Sequence, residues 1–201
     1  MTAIGTVEAA AAAARRGALV VFPTDTVYAI GTRPDDPAAT ARLFAAKRRP
    51  RDLTLPVLVA TPEDARRVAV FDGRAARVAG ACWPGALTLV LARTDVSRGW
   101  DLGGEGTTIG VRVPDHPVAR SLLGRTGALA ATSANRSGDR PGRDHDELLA
   151  MFGPAVAVYL CAERPLAGAA STVMDMTGPE PVILRRGDVD PEVVMGLAAA
   201  R

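Results

Sequence analysis

The sequence predicts an α/β fold with a mixed parallel and antiparallel sheet flanked by helices. Three observations predict it. Capped, helix-forming segments alternate with short apolar runs rich in Val, Leu and Ile, which is the pattern of strands and covering helices. The runs "STVMDM" and "PVILRR" are joined only by "TGPEP", too short for a crossover, so they form an antiparallel hairpin. Elsewhere helices intervene between strands. The length of 201 residues and the 48% hydrophobic content fit one compact domain over residues 1–201.

The elements follow in order. Ala, Glu and Arg over residues 4–16 favour a helix, ended by Gly17. "ALVVF" (18–22) is a buried strand that runs into the polar turn "PTDTVYAIG". Asp36 caps the next helix with Pro37 at its first position, and Pro50 stops it near Arg48. "LTLPVLVA" (53–60) is a strand whose Pro56 marks an edge or a bulge. "TPEDARRVA" opens a helix with a Thr cap, and "RAARVAGA" forms another before "WPG". "ALTLVLA" (86–92) and "TIGVRV" (108–113) are strands, separated by 95–107, the most loop-like segment. "HPVARSLL" and "DHDELLAMF" are helices on either side of the strand "ALAAT" (128–132). "VAVYLCA" and the hairpin supply the last strands, and Asp190-Pro191 starts the final helix.

Composition removes several function classes. The net charge of +2 is small for a dedicated duplex binder, so any basic site must be local. Cys82 and Cys161 sit apart in apolar contexts with no CxxC, which reads as two buried thiols in a reducing cytoplasm. His116 and His145 lack metal-ligand spacing, so no metal site is expected. The N-terminal alanine run is not a signal peptide, and no apolar stretch approaches membrane-spanning length. There is no P-loop, no dinucleotide fingerprint and no GxSxG elbow.

The chemistry-bearing stretches are polar and cationic. "FAAKRRPRD" (44–52) gathers Lys47, Arg48, Arg49 and Arg51 at a helix end, and Lys47 is the only lysine of the chain. Lysine offers a point charge and arginine a rigid fork, so Lys47 and Arg49 together suit a polyanion. Cations at a helix C-terminus are the plainer reading. Lys47 is expected outside the core. "ATSANRSG" (131–138) ends a strand in Ser133 and Asn135, where α/β sheets bind ligands, although a polar turn has the same composition. Arg112 lies inside an apolar strand, facing either solvent or a buried anion. Ser171 and Arg185 lie on the two arms of the hairpin. Together these Arg, Ser and Thr positions favour an anionic substrate handled by positioning and charge.

The motifs "PTDTVYAIG", "AKRRP", "WPGALTLVL", "GVRVPDHP", "TSANRSG", "STVMDMTG" and "ILRRG", in this order, closely resemble the YrdC-like family of threonylcarbamoyl-adenylate synthases. The resemblance runs from about residue 4 to 195. It implies a twisted mixed sheet with a concave, positive groove. It also implies an enzyme that takes L-threonine, bicarbonate (or CO2) and ATP with magnesium, and forms threonylcarbamoyl-adenylate and pyrophosphate. A downstream transferase would then modify adenosine 37 of tRNAs reading codons that begin with A. Lys47 and Arg49 match the family's KxR pair, and Ser133 and Asn135 its SxN pair. By the same resemblance Thr26, Arg112, Ser133 and Ser171 face threonine, and Lys47, Arg49, Thr108, Asn135 and Arg185 face ATP. Tyr28 and Arg143 are expected at the pocket. Ala29, Leu53, Leu58, Arg143 and Arg186 depart from the family's common residues, and the first three are expected near the substrate.

Two other readings stay open on sequence. One is a carbamoyl-adenylate-forming carbamoylation enzyme, whose zinc-finger cysteines and further catalytic domain are not seen here. The other is an RNA-binding module that uses the basic groove, whose binding would fall steeply with salt.

Overall fold

The computed structural model describes residues 5–162, 166 and 168–200. In chain order the elements are α1 (Val7–Arg15), β1 (Leu19–Phe22), β2 (Ala29–Thr32), α2 (Pro37–Lys47), β3 (Val57–Leu58), α3 (Pro62–Val68), α4 (Gly73–Cys82), β4 (Leu87–Ala92), α5 (Asp95–Arg98), β5 (Thr108–Arg112), α6 (Pro117–Thr126), β6 (Leu129–Ser133), α7 (His145–Phe152), β7 (Val156–Tyr159), β8 (Thr172–Asp175), β9 (Val182–Arg185) and α8 (Pro191–Ala199). The strands form one mixed sheet in the order β7-β1-β2-β6-β3-β5-β4-β8-β9. The predicted α/β class and the antiparallel β8–β9 hairpin are both present.

The helix starts follow local chemistry. Thr6, Asp36, Thr61, Asp72, Asp144 and Asp190 each accept a backbone N–H with the side chain, satisfying donors that the first turn cannot. His116 does the same for α6 through Nδ1. α2 ends within a residue of its expected place, but for another reason. It stops at Lys47, and Arg48 closes it in the left-handed region at φ 50°, before Pro50 is reached.

Four other expectations change. "TVYAIGT" is not only a turn, because Ala29–Thr32 forms β2, pairing with β1 as a hairpin and with β6. Small residues hid it, and tertiary pairing overrides their weak strand propensity. The 53–60 strand shrinks to Val57–Leu58 and lies in the middle of the sheet, paired on both sides by β5 and β6. Pro56 is therefore neither at an edge nor within the paired strand. It precedes the pairing, and its carbonyl accepts the Ala131 N–H at 2.9 Å. Within 95–107 the first residues form the one-turn α5. Cys82 and Cys161 are free but only partly buried.

The two faces of the sheet are covered unequally. On one face the larger core joins inward residues of all the long strands, such as Val21, Ile30, Val57, Leu89, Val111, Ala130 and Met174. Leu43, Phe44, Val68, Val78, Leu148 and Val194 pack over them from α2, α3, α4, α7 and α8. On the other face a smaller core packs α1 and α6 onto Val20, Phe22, Ala29, Leu58, Leu129 and Ala131. That cover ends at β3. The same face of β5, β4, β8 and β9 is left open.

Gly31 shows how tightly the covered half is built. A Cβ there would stand 2.9 Å from both the Ala130 carbonyl oxygen and the Ala131 Cβ. Because both are fixed in β6, Gly31→Ala is expected to lower unfolding free energy by about 1–3 kcal/mol, read from a urea midpoint shift at unchanged m-value.

Candidate functional site

The open half of the second face is a cleft of about 730 Å³. Its floor is the outward row of the uncovered strands: Thr108, Gly110 and Arg112 on β5, Thr88 and Val90 on β4, Val173 and Asp175 on β8. Its walls come from the segments that leave the strands. They are Thr24–Ala29 after β1, Arg49–Pro56 after α2, Ser133–Pro141 after β6 and Gly168–Ser171 before β8. Ligand sites beyond strand ends are the rule for open α/β sheets. Gly168 fits this wall because a Cβ there would collide with the Thr26 backbone carbonyl.

Three guanidinium groups converge on the cleft. Arg112 is almost wholly buried, with side-chain exposure of 6%. Its Nη2 donates to Asp25 Oδ1 at 2.6 Å, its Nη1 to Thr26 Oγ1 at 3.0 Å and its Nε to the Gly85 carbonyl at 2.9 Å. Thr24 Oγ1 lies 2.9 Å from Thr26 Oγ1 and donates to the Val27 carbonyl, so the turn is pinned from both sides. Arg185 donates to the Ser171 carbonyl and hydroxyl at 3.0 and 2.9 Å, and Ser171 Oγ in turn sits 3.0 Å from Thr88 Oγ1. Arg49 is held by the Leu53 and Thr54 carbonyls at 3.2 and 3.0 Å.

All three arginines have their pKa pulled below the usual arginine range. Burial is the first cause for each. Repulsion from Arg185 adds for Arg49, and repulsion from Arg112 adds for Arg185, whereas Asp25 partly offsets the shift at Arg112. Arginine keeps its proton in any case. The shift reflects burial first and, for Arg49 and Arg185, repulsion between cations second; an anion placed among the three groups would offset both.

Lys47 differs from its expected place. It does not line the cleft but lies behind it, 1% exposed. Its Nζ donates to the carbonyls of Ser133 and Asn135 and approaches Asn135 Oδ1 at 3.4 Å. Burial, then repulsion from Arg49, lowers its pKa to about 7. Lys47 points inward because it continues the buried face of α2, four residues after Leu43; the left-handed Arg48 then ends the helix before Arg49 reaches the cleft, at a cost of about 1–3 kcal/mol for a non-glycine residue. Ser133 donates to Asn135 Oδ1, and the Asn135 amide donates to the Arg136 and Asp139 carbonyls at 2.8 Å. The KxR and SxN groups thus form one connected unit, with Arg49, Ser133 and Asn135 at the cleft and Lys47 beneath them.

Most other candidates also reach the site. Thr26, Tyr28, Thr108, Arg112, Ser171 and Arg185 line the cleft, as do Ala29, Leu53 and Leu58. Tyr28 is buried, with its hydroxyl accepting the Ala162 N–H at 2.8 Å. Arg143 is the exception. It pairs with Glu147 at 3.2 Å on α7, away from the lining, because Glu147 lies one helical turn on and offers a nearer carboxylate. Sequence reasoning missed Thr88, the structural role of Asp25 and the position of Asp175. Thr88 carried a legible signal, as a hydroxyl on the alternate face of an otherwise apolar strand. Among the described residues no group of three or more His, Cys, Asp or Glu side chains is placed to hold a metal ion.

Two outcomes are expected from this geometry. Inorganic pyrophosphate should raise the melting temperature, and Arg49→Ala or Arg185→Ala should shrink that rise while leaving a folded protein. Lys47→Met should cost about 1–3 kcal/mol in denaturant unfolding, since it strands the Asn135 carbonyl and leaves the Ser133 carbonyl with only the Asn135 N–H; unchanged stability would remove Lys47 from this supporting role.

The sequence matches the family described as telomere recombination, comprising Sua5, YciO and YrdC proteins, over residues 12–187. A relative from Mycobacterium tuberculosis is 42% identical over 196 residues, covering 95% of this chain and 89% of its own. The threonylcarbamoyl-AMP synthase of Chromohalobacter salexigens is 39% identical, with 85% of this chain and 92% of that protein covered. The crystal structure of Pyrococcus abyssi Sua5 complexed with L-threonine superposes with a TM-score of 0.86 at 33% identity. That match covers 96% of this chain and 57% of the longer Pyrococcus chain. By sequence and by fold, this chain belongs to the Sua5/YciO/YrdC family.

Proposed function

We propose that this protein is an L-threonylcarbamoyladenylate synthase, a nucleotidyltransferase that converts L-threonine, bicarbonate or CO2, and ATP into threonylcarbamoyl-AMP and pyrophosphate. The observation that carries this reading is the convergence of Arg49, Arg112 and Arg185 on a cleft otherwise lined by hydroxyls, in a member of this family. The substrates bring a carboxylate, a carbamate and a triphosphate. Fixed cations that repel one another until an anion arrives are suited to all three.

The residues take the following parts. Thr26, Arg112, Ser133 and Ser171 hold threonine, with Arg112 kept rigid by Asp25 so that its remaining N–H groups meet the carboxylate. Arg49, Arg185, Thr108 and Asn135 hold ATP, with Lys47 fixing the backbone beneath Ser133 and Asn135. Magnesium arrives with the triphosphate as part of the substrate. The neutral threonine amine adds to CO2 and releases one proton to solvent, and a carbamate oxygen then attacks the α-phosphorus while the bond from that phosphorus to the α,β-bridging oxygen breaks. Pyrophosphate then leaves into the Arg49–Arg185 field. Catalysis by positioning and charge is what such phosphoryl chemistry needs from a protein. The product passes to a downstream transferase that modifies adenosine 37 of tRNAs reading codons that begin with A, in the cytoplasm. Any RNA contact of the groove itself is weak and salt-sensitive.

The test is pyrophosphate release from ATP, with and without L-threonine and bicarbonate. Release that requires both is the expected result, with serine used less well by roughly 10- to 200-fold, the worth of about one methyl group in a pocket. Release that ignores threonine but responds to carbamoyl phosphate would replace this reading with a carbamoylation enzyme. No release by folded protein would overturn the synthase assignment.

A further inference from the structure

The cleft has an end that the anionic groups do not explain. One two-residue step along the strands separates the Arg112–Thr88–Val173 row from the Gly110–Val90–Asp175 row, about 6–7 Å. The second row carries no cation. Val90 and Gly110 form its floor, and Pro56 and Leu184 stand beside it. Gly110 keeps that floor flat, since a Cβ there would already touch Pro56 Cβ and Thr88 Cγ2 at 3.4 Å. Leu184 is 57% exposed although it lines the cleft, which leaves an apolar side chain without cover. A flat, apolar-faced group fits between these surfaces.

The single polar side chain on that floor is Asp175. Its Oδ1 accepts from the Thr177 N–H at 2.8 Å and the Thr177 hydroxyl at 2.6 Å, which fixes the carboxylate. No hydrogen bond or ion pair from the described residues reaches Oδ2. The other acids of the lining, Asp52 and Asp139, stand on exposed loop segments rather than on a strand. A carboxylate here repels phosphate and carboxylate groups, so this end must take a part of the substrates that is neutral, planar and donates hydrogen bonds. Of the three substrates only the nucleobase of ATP has all three properties.

We propose that Asp175 is a specificity-determining residue that selects adenine nucleotides, its Oδ2 accepting a hydrogen bond from the 6-amino group of the base while Val90 and Leu184 meet the ring faces. This rests on the synthase reading, because it takes ATP as the substrate. A site built to accept a donor rejects the analogue that lacks it, since its own acceptor is then left unpaired.

The experiment compares ATP with purine riboside triphosphate, which lacks the 6-amino group, in threonine- and bicarbonate-dependent pyrophosphate release. Wild type is expected to prefer ATP in kcat/KM by roughly tenfold or more, as for a hydrogen bond to a charged group. Asp175→Asn keeps an oxygen for Thr177 but puts an N–H2 in place of Oδ2, and should bring that preference down to about twofold or less. Thr177→Val, which removes the hydroxyl contact with Oδ1 but keeps the N–H one and the carboxylate, should keep the wild-type preference and thereby separates base reading from turn support. An unchanged preference in a folded Asp175→Asn protein overturns the proposal. So does an equal loss with both nucleotides, which would place the carboxylate on the sugar or the turn. Wild-type protein with no threonine-dependent release would instead strike at the synthase reading itself.

Discussion

Two helices cannot cover one face of nine strands, and the site exists because of that shortfall. The cover of α1 and α6 ends at Leu58, while the opposite face is packed from β7 to β8 by five helices. The open strands are backed on their other side by a continuous apolar core. The row they turn to the cleft carries Thr88, Thr108, Gly110 and Arg112 rather than bulky apolar side chains. Apolar side chains there would have formed a large exposed hydrophobic patch. Hydroxyls and a buried ion pair keep the row soluble and give it binding chemistry.

The electrostatics follow from the same arrangement. Arg112 sits on a central strand, where a lone guanidinium would be costly to bury. Asp25, Thr26 and the Gly85 carbonyl compensate it, so it survives as a rigid donor. Arg185 and Arg49 are held mainly by backbone carbonyls, which satisfy N–H groups without cancelling charge. The site is therefore neutralised at one point and left cationic at two. Asp175, one row further on, sets a negative limit to that field.

Lys47 links this charge pattern to the backbone. Its ammonium joins the end of α2 to the loop after β6, two segments 86 residues apart in sequence. The Ser137 N–H returns the link by donating to the Lys47 carbonyl at 2.8 Å. A single lysine in an otherwise arginine-only set fits this place. A compact ammonium can donate to several carbonyls at once, whereas a planar fork cannot converge on them.

The sequence by itself determined the α/β class, the capped helices, the β8–β9 hairpin and the family. These rest on local signals: Asp36-Pro37, Thr61-Pro62 and Asp190-Pro191 at helix starts, a five-residue connection, and motifs such as "AKRRP" and "TSANRSG" that are contiguous. It also pointed to most of the cleft residues, through Arg and Ser/Thr at strand ends. Tertiary structure alone decided the rest. It made Ala29–Thr32 a strand by pairing it on both sides, and it placed Val57–Leu58 in the middle of the sheet despite Pro56. It set Lys47 against the Ser133 and Asn135 carbonyls behind the cleft, and Arg143 stands with Glu147 rather than at the pocket. The strand pairings and the Lys47 contacts depend on partners far apart in the chain, whereas the Arg143–Glu147 pair spans only four residues. Hydrogen bonds across a sheet, and the choice between two faces of it, leave no mark on the neighbouring residues from which a sequence is read.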